Sequence, residues 1–219
     1  SPKGTHETWT RLTNELGLDF RYLTSNLLKG GELSNDEFRV LLLPMTQAIS
    51  AEEADVIRDF CRNGGTVIAE APFAFKDMEG HLLYRAPGCG LDAVFGGWTA
   101  DREGPETASP IRCPAGDASV HFFWHEFTLT DGTALAAYAD GAPAVIANAY
   151  GKGRAVLAGT EVFRQYALNP QGAMTALLQD EVRASGAQPT AIITGGVANI
   201  EVSRLTGPGG VLVLITNHN

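Results

Sequence analysis

Apolar residues recur along this chain with two periods, and the switches between them mark out its elements. Trp9, Leu12 and Leu16 stand at helical spacing with Gly17 behind them as a stop, so the first segment is expected to be a helix. Residues 19–24 are a short strand candidate. Residues 39–43 are almost wholly apolar, with Val40, Leu41, Leu42 and Leu43 in succession and Pro44 closing the run. A strand apolar on both faces suits the interior of a parallel sheet covered by helices. Ser50 and Glu53 then have capping-box spacing. They open a helix that carries Ala54, Ile57, Phe60 and Cys61 on one face and ends at Asn63-Gly64. Residues 66–69 are a second buried strand, so this stretch predicts a parallel strand–helix–strand unit with a right-handed crossover.

Residues 77–118 break the pattern. They are rich in Gly, Pro and polar residues, and Pro87-Gly88-Cys89-Gly90 and Phe95-Gly96-Gly97-Trp98 read as loops. Residues 120–129 carry aromatics and form a strand candidate. Residues 143–150 and 154–158 flank Gly151-Lys152-Gly153, which predicts an antiparallel hairpin with positive φ at glycine. Asn169-Pro170 reads as a helix N-cap with Pro at the first helical position. The helix it opens would bury Met174, Leu177, Leu178 and Val182 and stop near Gly186. From Thr190 the pattern is all-β, over residues 191–193, 200–204 and 211–215. Three strands make a poor independent core. An α/β domain over residues 1–187 is therefore expected, followed over residues 188–219 by the truncated beginning of a β-domain.

Composition narrows the partners. There are 16 Lys+Arg against 25 Asp+Glu, a formal net charge of −9, which argues against nucleic acid and anionic membrane surfaces. No apolar run approaches the roughly 20 residues of a membrane span. Three scattered cysteines, Cys61, Cys89 and Cys113, fit neither a disulfide framework nor a CxxC metal site. Reduced thiols and a cytoplasmic setting are the expectation. The chain opens Ser1-Pro2-Lys3-Gly4 with no initiator Met, which reads as a processed product or a piece of a longer protein.

Candidate chemistry is sparse. Gly151-Lys152-Gly153-Arg154 lacks phosphate-loop spacing and no GxGxxG follows the early strands, so no cofactor is expected. On a strand, His121 and His125 would share a face but sit about 13 Å apart, too far for one metal ion. Of the carboxylates near strand ends, Glu70, Asp77, Glu126 and Glu161, only Glu70 and Glu161 lie directly beyond buried parallel-type strands, where α/β sites form. They are the carboxylate candidates for paired acid–base work, the alternative being that they bind loop backbone. A nucleophile would sit in the turn after residues 66–69, which reads Glu70-Ala71-Pro72-Phe73. Ala71 has no nucleophilic atom, and none of the three cysteines falls there.

A family resemblance accompanies these residues. The run from Phe38 to Pro44, the Ser50 helix, and Asn63-Gly64-Gly65-Thr66-Val67-Ile68-Ala69 resemble the class I glutamine amidotransferase-like domain, and more specifically the trimerisation domain of family 42 glycoside hydrolases, the β-galactosidases. Pro87 to Gly96, Ala142 to Gly159-Thr160, Ile200 to Arg204 and Leu214 to His218 are similar to successive later segments of that family. The resemblance implies a flavodoxin-like, class I glutamine amidotransferase-like three-layer sandwich with a parallel sheet, followed by a short all-β segment. It also implies a strand just before Ser1. A true amidotransferase of this class would carry Cys at the position of Ala71 and a His-x-Glu pair after the late hairpin, where this chain reads Gly159-Thr160-Glu161-Val162-Phe163. Both partners of that dyad are missing, which makes Ala71 a vestigial nucleophile position.

The implied role is non-catalytic. The chain would be the oligomer-forming section of a β-galactosidase-like enzyme whose catalytic carboxylates belong to a preceding barrel. Its partner would be itself, with a trimer favoured, and galactoside would be met only through the parent's active-site funnel. Trp98, Phe122, Phe123 and Trp124 are candidate interface or sugar contacts, with local core packing as the other reading. A stand-alone hydrolase on the amidotransferase fold and a carbohydrate-binding module are the alternatives.

Overall fold

The computed structural model describes residues 8, 12–13, 16–103, 110–119, 124–163, 172–190 and 200–217. Within them the chain runs α1 (Ser25–Lys29), β1 (Val40–Leu43), α2 (Ala51–Arg62), β2 (Thr66–Glu70), α3 (Leu91–Phe95), β3 (Gly97–Glu103), β4 (Pro110–Cys113), β5 (Gly116–Ser119) and β6 (Trp124–Leu129). It continues through β7 (Thr133–Tyr138), β8 (Pro143–Tyr150), β9 (Gly153–Ala158), α4 (Ala173–Ala184), β10 (Ile200–Gly207) and β11 (Gly210–Asn217).

The strand–helix–strand unit forms where the apolar pattern places it. β1 and β2 pair in parallel, Val40 opposite Thr66 through Leu43 opposite Ala69. The α2 helix between them is closed at its start by a reciprocal cap: Ser50 Oγ accepts from Glu53 N at 3.2 Å, and Ser50 N donates to Glu53 Oε2 at 2.8 Å. Its apolar stripe, Ala54, Ile57, Phe60 and Cys61, is buried. Near the N-terminus, Thr8, Leu12 and Thr13 are helical and Gly17 has φ 67°. Residues 19–24 join no sheet, and Thr24 instead caps α1 through its side chain.

The remainder departs from the expected sandwich. The main sheet has seven strands in the order β1-β2-β9-β8-β7-β4-β5. Only β1, β2 and β9 run parallel; every pairing from β9 outward to β5 is antiparallel. The sheet is mixed and curled, and the molecule is mainly β, not a flavodoxin-like or class I glutamine amidotransferase-like three-layer sandwich with a parallel sheet. The physical reason is the connections. A parallel partner needs a crossover of a dozen or more residues, whereas β8 and β9 are joined by Gly151-Lys152 alone. Positive φ falls on Gly151, at 62°, the first central residue of that turn. Among the elements given a range, only the helices α2 and α4 exceed five residues.

The expected loop region is also structured: α3, β3, β4 and most of β5 lie within residues 77–118. Gly96-Gly97 marks a close crossing, since a Cβ on Gly96 would stand 2.4 Å from the backbone N of Gly132. Gly172 stands at the N-cap position of α4; Asn169-Pro170 lie outside the described residues. It buries Met174, Leu177, Leu178 and Val182 as its spacing predicts. β10 and β11 form a separate two-stranded sheet; residues 191–193 lie outside the described set.

Two apolar clusters sit on either side of the central strands. Val67 and Ala69 of β2, with Ala155 and Leu157 of β9, face the α2 side. Ile68, Val156 and Ala158 face the cluster that holds Met174, Leu177 and Leu178. The α2–β9 approach is tight at Gly153, where a Cβ would meet the Cys61 and Gly65 carbonyl oxygens at 2.1 and 2.3 Å. Replacing Gly153 by Ala is expected to cost about 2–3 kcal/mol through forced backbone displacement, and Ser50→Ala about 1 kcal/mol through loss of the cap. Equilibrium urea denaturation measures both, and a cap variant less stable than the glycine variant would contradict this ranking.

Candidate functional site

The carboxyl ends of β1, β2 and β9 form the edge where an α/β fold places its chemistry. Glu70 ends β2 and Glu161 follows β9 by three residues. The fold brings the two together, and both are buried, at 1% and 4% exposure. Phe163 N donates to Glu70 Oε2 at 2.9 Å. The backbone N–H groups of Met45 and Val162 also donate to this carboxylate. One side chain on β2 thus holds the chain leaving β1 and the turn leaving β9. Burial holds the Glu70 carboxyl well above the usual carboxylate range, and the neighbouring Glu161 charge adds to the rise against the backbone donors.

Ala71 sits beside this carboxylate, 2% exposed, its N–H donating to Ala158 O at 2.7 Å. The turn continues through a cis Ala71–Pro72 bond into buried Phe73, whose ring meets Phe95 edge-on at 5.3 Å between centroids. A side-chain methyl therefore stands where a nucleophile would be, with buried groups around it. Cys61 is buried on the inner face of α2, its thiol pushed up to about 11 by desolvation; Cys113 is raised to about 11 by burial and by Asp117. Neither is held as a reactive thiolate.

The other candidates separate. Trp124 is buried in the core and tilts against Tyr138 with centroids 5.0 Å apart. Tyr138 in turn donates its hydroxyl to His125 O at 3.1 Å. Trp98 is partly exposed and lies under the Arg85 guanidinium, 5.1 Å from its ring centroid. Phe122 and Phe123 lie outside the described residues, as does His121. Asp77 is a half-buried turn residue: its Oδ1 accepts from His81 N at 2.7 Å and Glu79 N at 3.0 Å. Desolvation is the largest single influence and raises its carboxyl, but the His81 and Glu79 N–H donors and the His81 ring together hold it below the usual range. Among the described residues no group of three or more His, Cys, Asp or Glu is placed to hold a metal ion. No described helix is long and apolar enough to cross a membrane.

A cavity of about 700 Å³ lies between residues 18–24 and β1, the outermost strand of the sheet among the described residues, and is lined largely by apolar side chains. Neither Glu70 nor Glu161 lines it. The sequence pattern carries no sign of it, because residues 18–24 alternate like a strand yet pair with none.

Comparison with known proteins places this geometry. The family model described as the beta-galactosidase trimerisation domain matches residues 30–184. Among solved structures, the chain is similar to the beta-galactosidase of Bacillus circulans sp. alkalophilus, with a TM-score of 0.81 at 16% identity over 99% of this chain and 32% of that one. The beta-galactosidase of Rahnella sp. R3 gives 0.78 at 20% identity, over 98% of this chain and 32% of that one. The same fold occurs in the alpha-L-fucosidase isoenzyme 2 of Paenibacillus thiaminolyticus, at 0.66 and 17% identity over 92% of this chain and 32% of that one. Among curated proteins no sequence matches. The chain spans about a third of the length of these solved structures. At such identities the structural likeness speaks for fold alone, while the family model covers most of the chain: it belongs to the beta-galactosidase trimerisation domain family.

Proposed function

We propose that this chain is the self-assembly module of a β-galactosidase-type glycoside hydrolase, a trimer, whose catalytic residues lie in another part of a longer polypeptide. The observation that carries its non-catalytic role is the closed edge at Glu70. An acid–base carboxylate must reach substrate, and Glu70 is 1% exposed with backbone N–H donors around it. Glu70 acts as a clamp between the ends of β1 and β9, and Ala71 supplies no nucleophile. Galactoside is then met by the parent's active site, to which this module contributes walls at most. The buried, unactivated Cys61 and half-buried Cys113 thiols fit a reducing, cytoplasmic setting.

Residues 1–187 form the module proper and residues 188–219 open a further β-domain. β11 exposes Val211, Leu212, Val213, Leu214 and Ile215, which alternate to both faces of a two-stranded sheet. Such a hairpin is marginal alone, and apolar residues on both its faces call for further strands and a packed layer.

Native mass measurement on the complete polypeptide is expected to give a trimer. Glu70→Gln and Glu161→Gln are expected to leave galactoside turnover per folded enzyme within about twofold, since removing a true acid–base group costs at least about 100-fold. Hydrolysis of a nitrophenyl galactoside by residues 1–219 alone would overturn the reading.

The clamp has its own signature in pH. A carboxyl whose folded pKa lies above the unfolded value of 4.5 binds its proton more tightly when folded. Its contribution is complete below that value and is lost as pH rises toward the folded pKa, by up to about 1.4 kcal/mol per pH unit. Urea midpoints from pH 4.5 upward should therefore fall for wild type relative to Glu70→Gln, and parallel pH profiles would show that Glu70 ionises normally.

A further inference from the structure

We propose that the ribbon of residues 75–85 is a subunit contact, seated on a second copy of this chain. The inference deepens the self-assembly reading and rests on it. Leu83 N donates to Phe75 O and Asp77 N to His81 O, both at 2.9 Å, so the segment doubles back as a short antiparallel ribbon. Its tip is fixed by the Asp77 carboxylate, which takes two backbone N–H groups and sits 3.0 Å from His81 Nδ1. Its base is fixed to the chain beyond β1, where Gln47 O accepts from both Phe75 N and Lys76 N. The ribbon therefore projects from the edge that carries Glu70 and is held in shape by its own hydrogen bonds.

This rigid piece turns its apolar side chains outward. Leu83 lies against Gly88, where a Cβ would come within 2.3 Å of its Cδ1. With a period of two, Leu82 and Tyr84 then face away from the protein, at 65% and 100% exposure, and Met78 at the tip is 61% exposed. Beside Tyr84, Arg85 is immobilised between the Asp92 carboxylate, at 2.8 Å, and the face of Trp98. Tyr, Met, Trp and Arg are the residue types enriched at protein interfaces, and a preordered ribbon loses little entropy on docking.

The occupant follows from the family, whose members form a trimerisation domain, so some face of the chain is covered by another copy. The other exposed apolar groups fit that role less well. β11 presents alternate residues to two opposite faces and so calls for sheet partners. Phe20 and Tyr22 contact each other edge-on at 5.3 Å beside the β1 cavity, with Arg21 between them ion-paired to Glu32 and Glu37. Among the described residues the ribbon combines a fixed backbone with large exposed side chains pointing one way.

The test uses the complete polypeptide in sedimentation equilibrium, with the variant Met78→Ser/Leu82→Ser/Tyr84→Ser beside wild type. The variant is expected to raise the dissociation constant of the assembly at least about 30-fold, with the near-ultraviolet circular dichroism of its buried aromatics kept. In parallel, benzoylphenylalanine at position 84 should on illumination yield a product of twice the chain mass. A variant that assembles as tightly as wild type, or a photoproduct confined to its own chain, overturns the ribbon contact and leaves the self-assembly reading standing. A wild-type polypeptide that stays monomeric at every concentration overturns both.

Discussion

The centre of the main sheet is arranged around hiding five residues. β2 is buried at every position, from Thr66 to Glu70. A strand with both faces dry requires apolar cover on two sides and backbone partners on both edges. β1 and β9 supply the edges, both in parallel. The α2 helix supplies one cover, which is why its stripe is continuous and its entry is fixed by a reciprocal cap rather than left to propensity. The cluster containing α4 supplies the other. The polar residue in the strand's last position has to be satisfied internally, because water does not reach it. Glu70 meets that demand with the backbone of two neighbouring connections, so the constraint that buries β2 also ties the ends of β1 and β9 to it.

That central constraint was legible in the residues because its signals are local. Val40 to Leu43, the Ser50–Glu53 pair, the 54-57-60-61 stripe and the Gly151-Lys152 turn each depend on neighbours within a few positions, and each stands where its pattern places it. The sheet beyond β8 was not legible. Its pairings join Ile111 to Tyr138 and Thr133 to Ala147, and β5, Gly-Asp-Ala-Ser, is polar and mostly exposed. Such strands are made by tertiary pairing against weak local preference. One parallel unit then invites extrapolation to a wholly parallel sheet, and the short β8–β9 connection is the feature that forbids it. The glycines at 96 and 97 misled for a related reason: they mark close backbone approaches, Gly96 to Gly132 and Gly97 to Thr128 O, which a linear reading takes for a loop.

The candidate site was half legible. The empty nucleophile turn follows from Ala71 alone, and the placement of Glu70 and Glu161 at strand ends follows from the apolar runs before them. What the linear pattern withholds is whether such carboxylates face solvent, since that depends on the turn at 161–163 folding over the edge. It also withholds the exposure of Met78, Leu82 and Tyr84. An apolar residue in a Gly- and Pro-rich stretch gives no sign of direction until Leu83 is seen lying on Gly88.

The closed edge and the extended ribbon both begin at the turn after β2. In an α/β enzyme the turn after this strand must leave its reactive side chain exposed, which keeps the surrounding loops low and open. With a methyl group at Ala71, nothing requires that opening. The carboxylate at Glu70 draws the 161–163 turn inward, and Phe73 and Ala74 sink into the core at 3% and 2% exposure. The chain then leaves the buried turn anchored on both sides, by Ala74 N to Thr46 O and by Gly88 N to Ala74 O. A segment held at that base can extend outward without loosening the core beneath it. The apolar ribbon is thus mechanically supported by the buried residues of this turn, so the closed edge at Glu70 and the ribbon beyond it stand on one structural base.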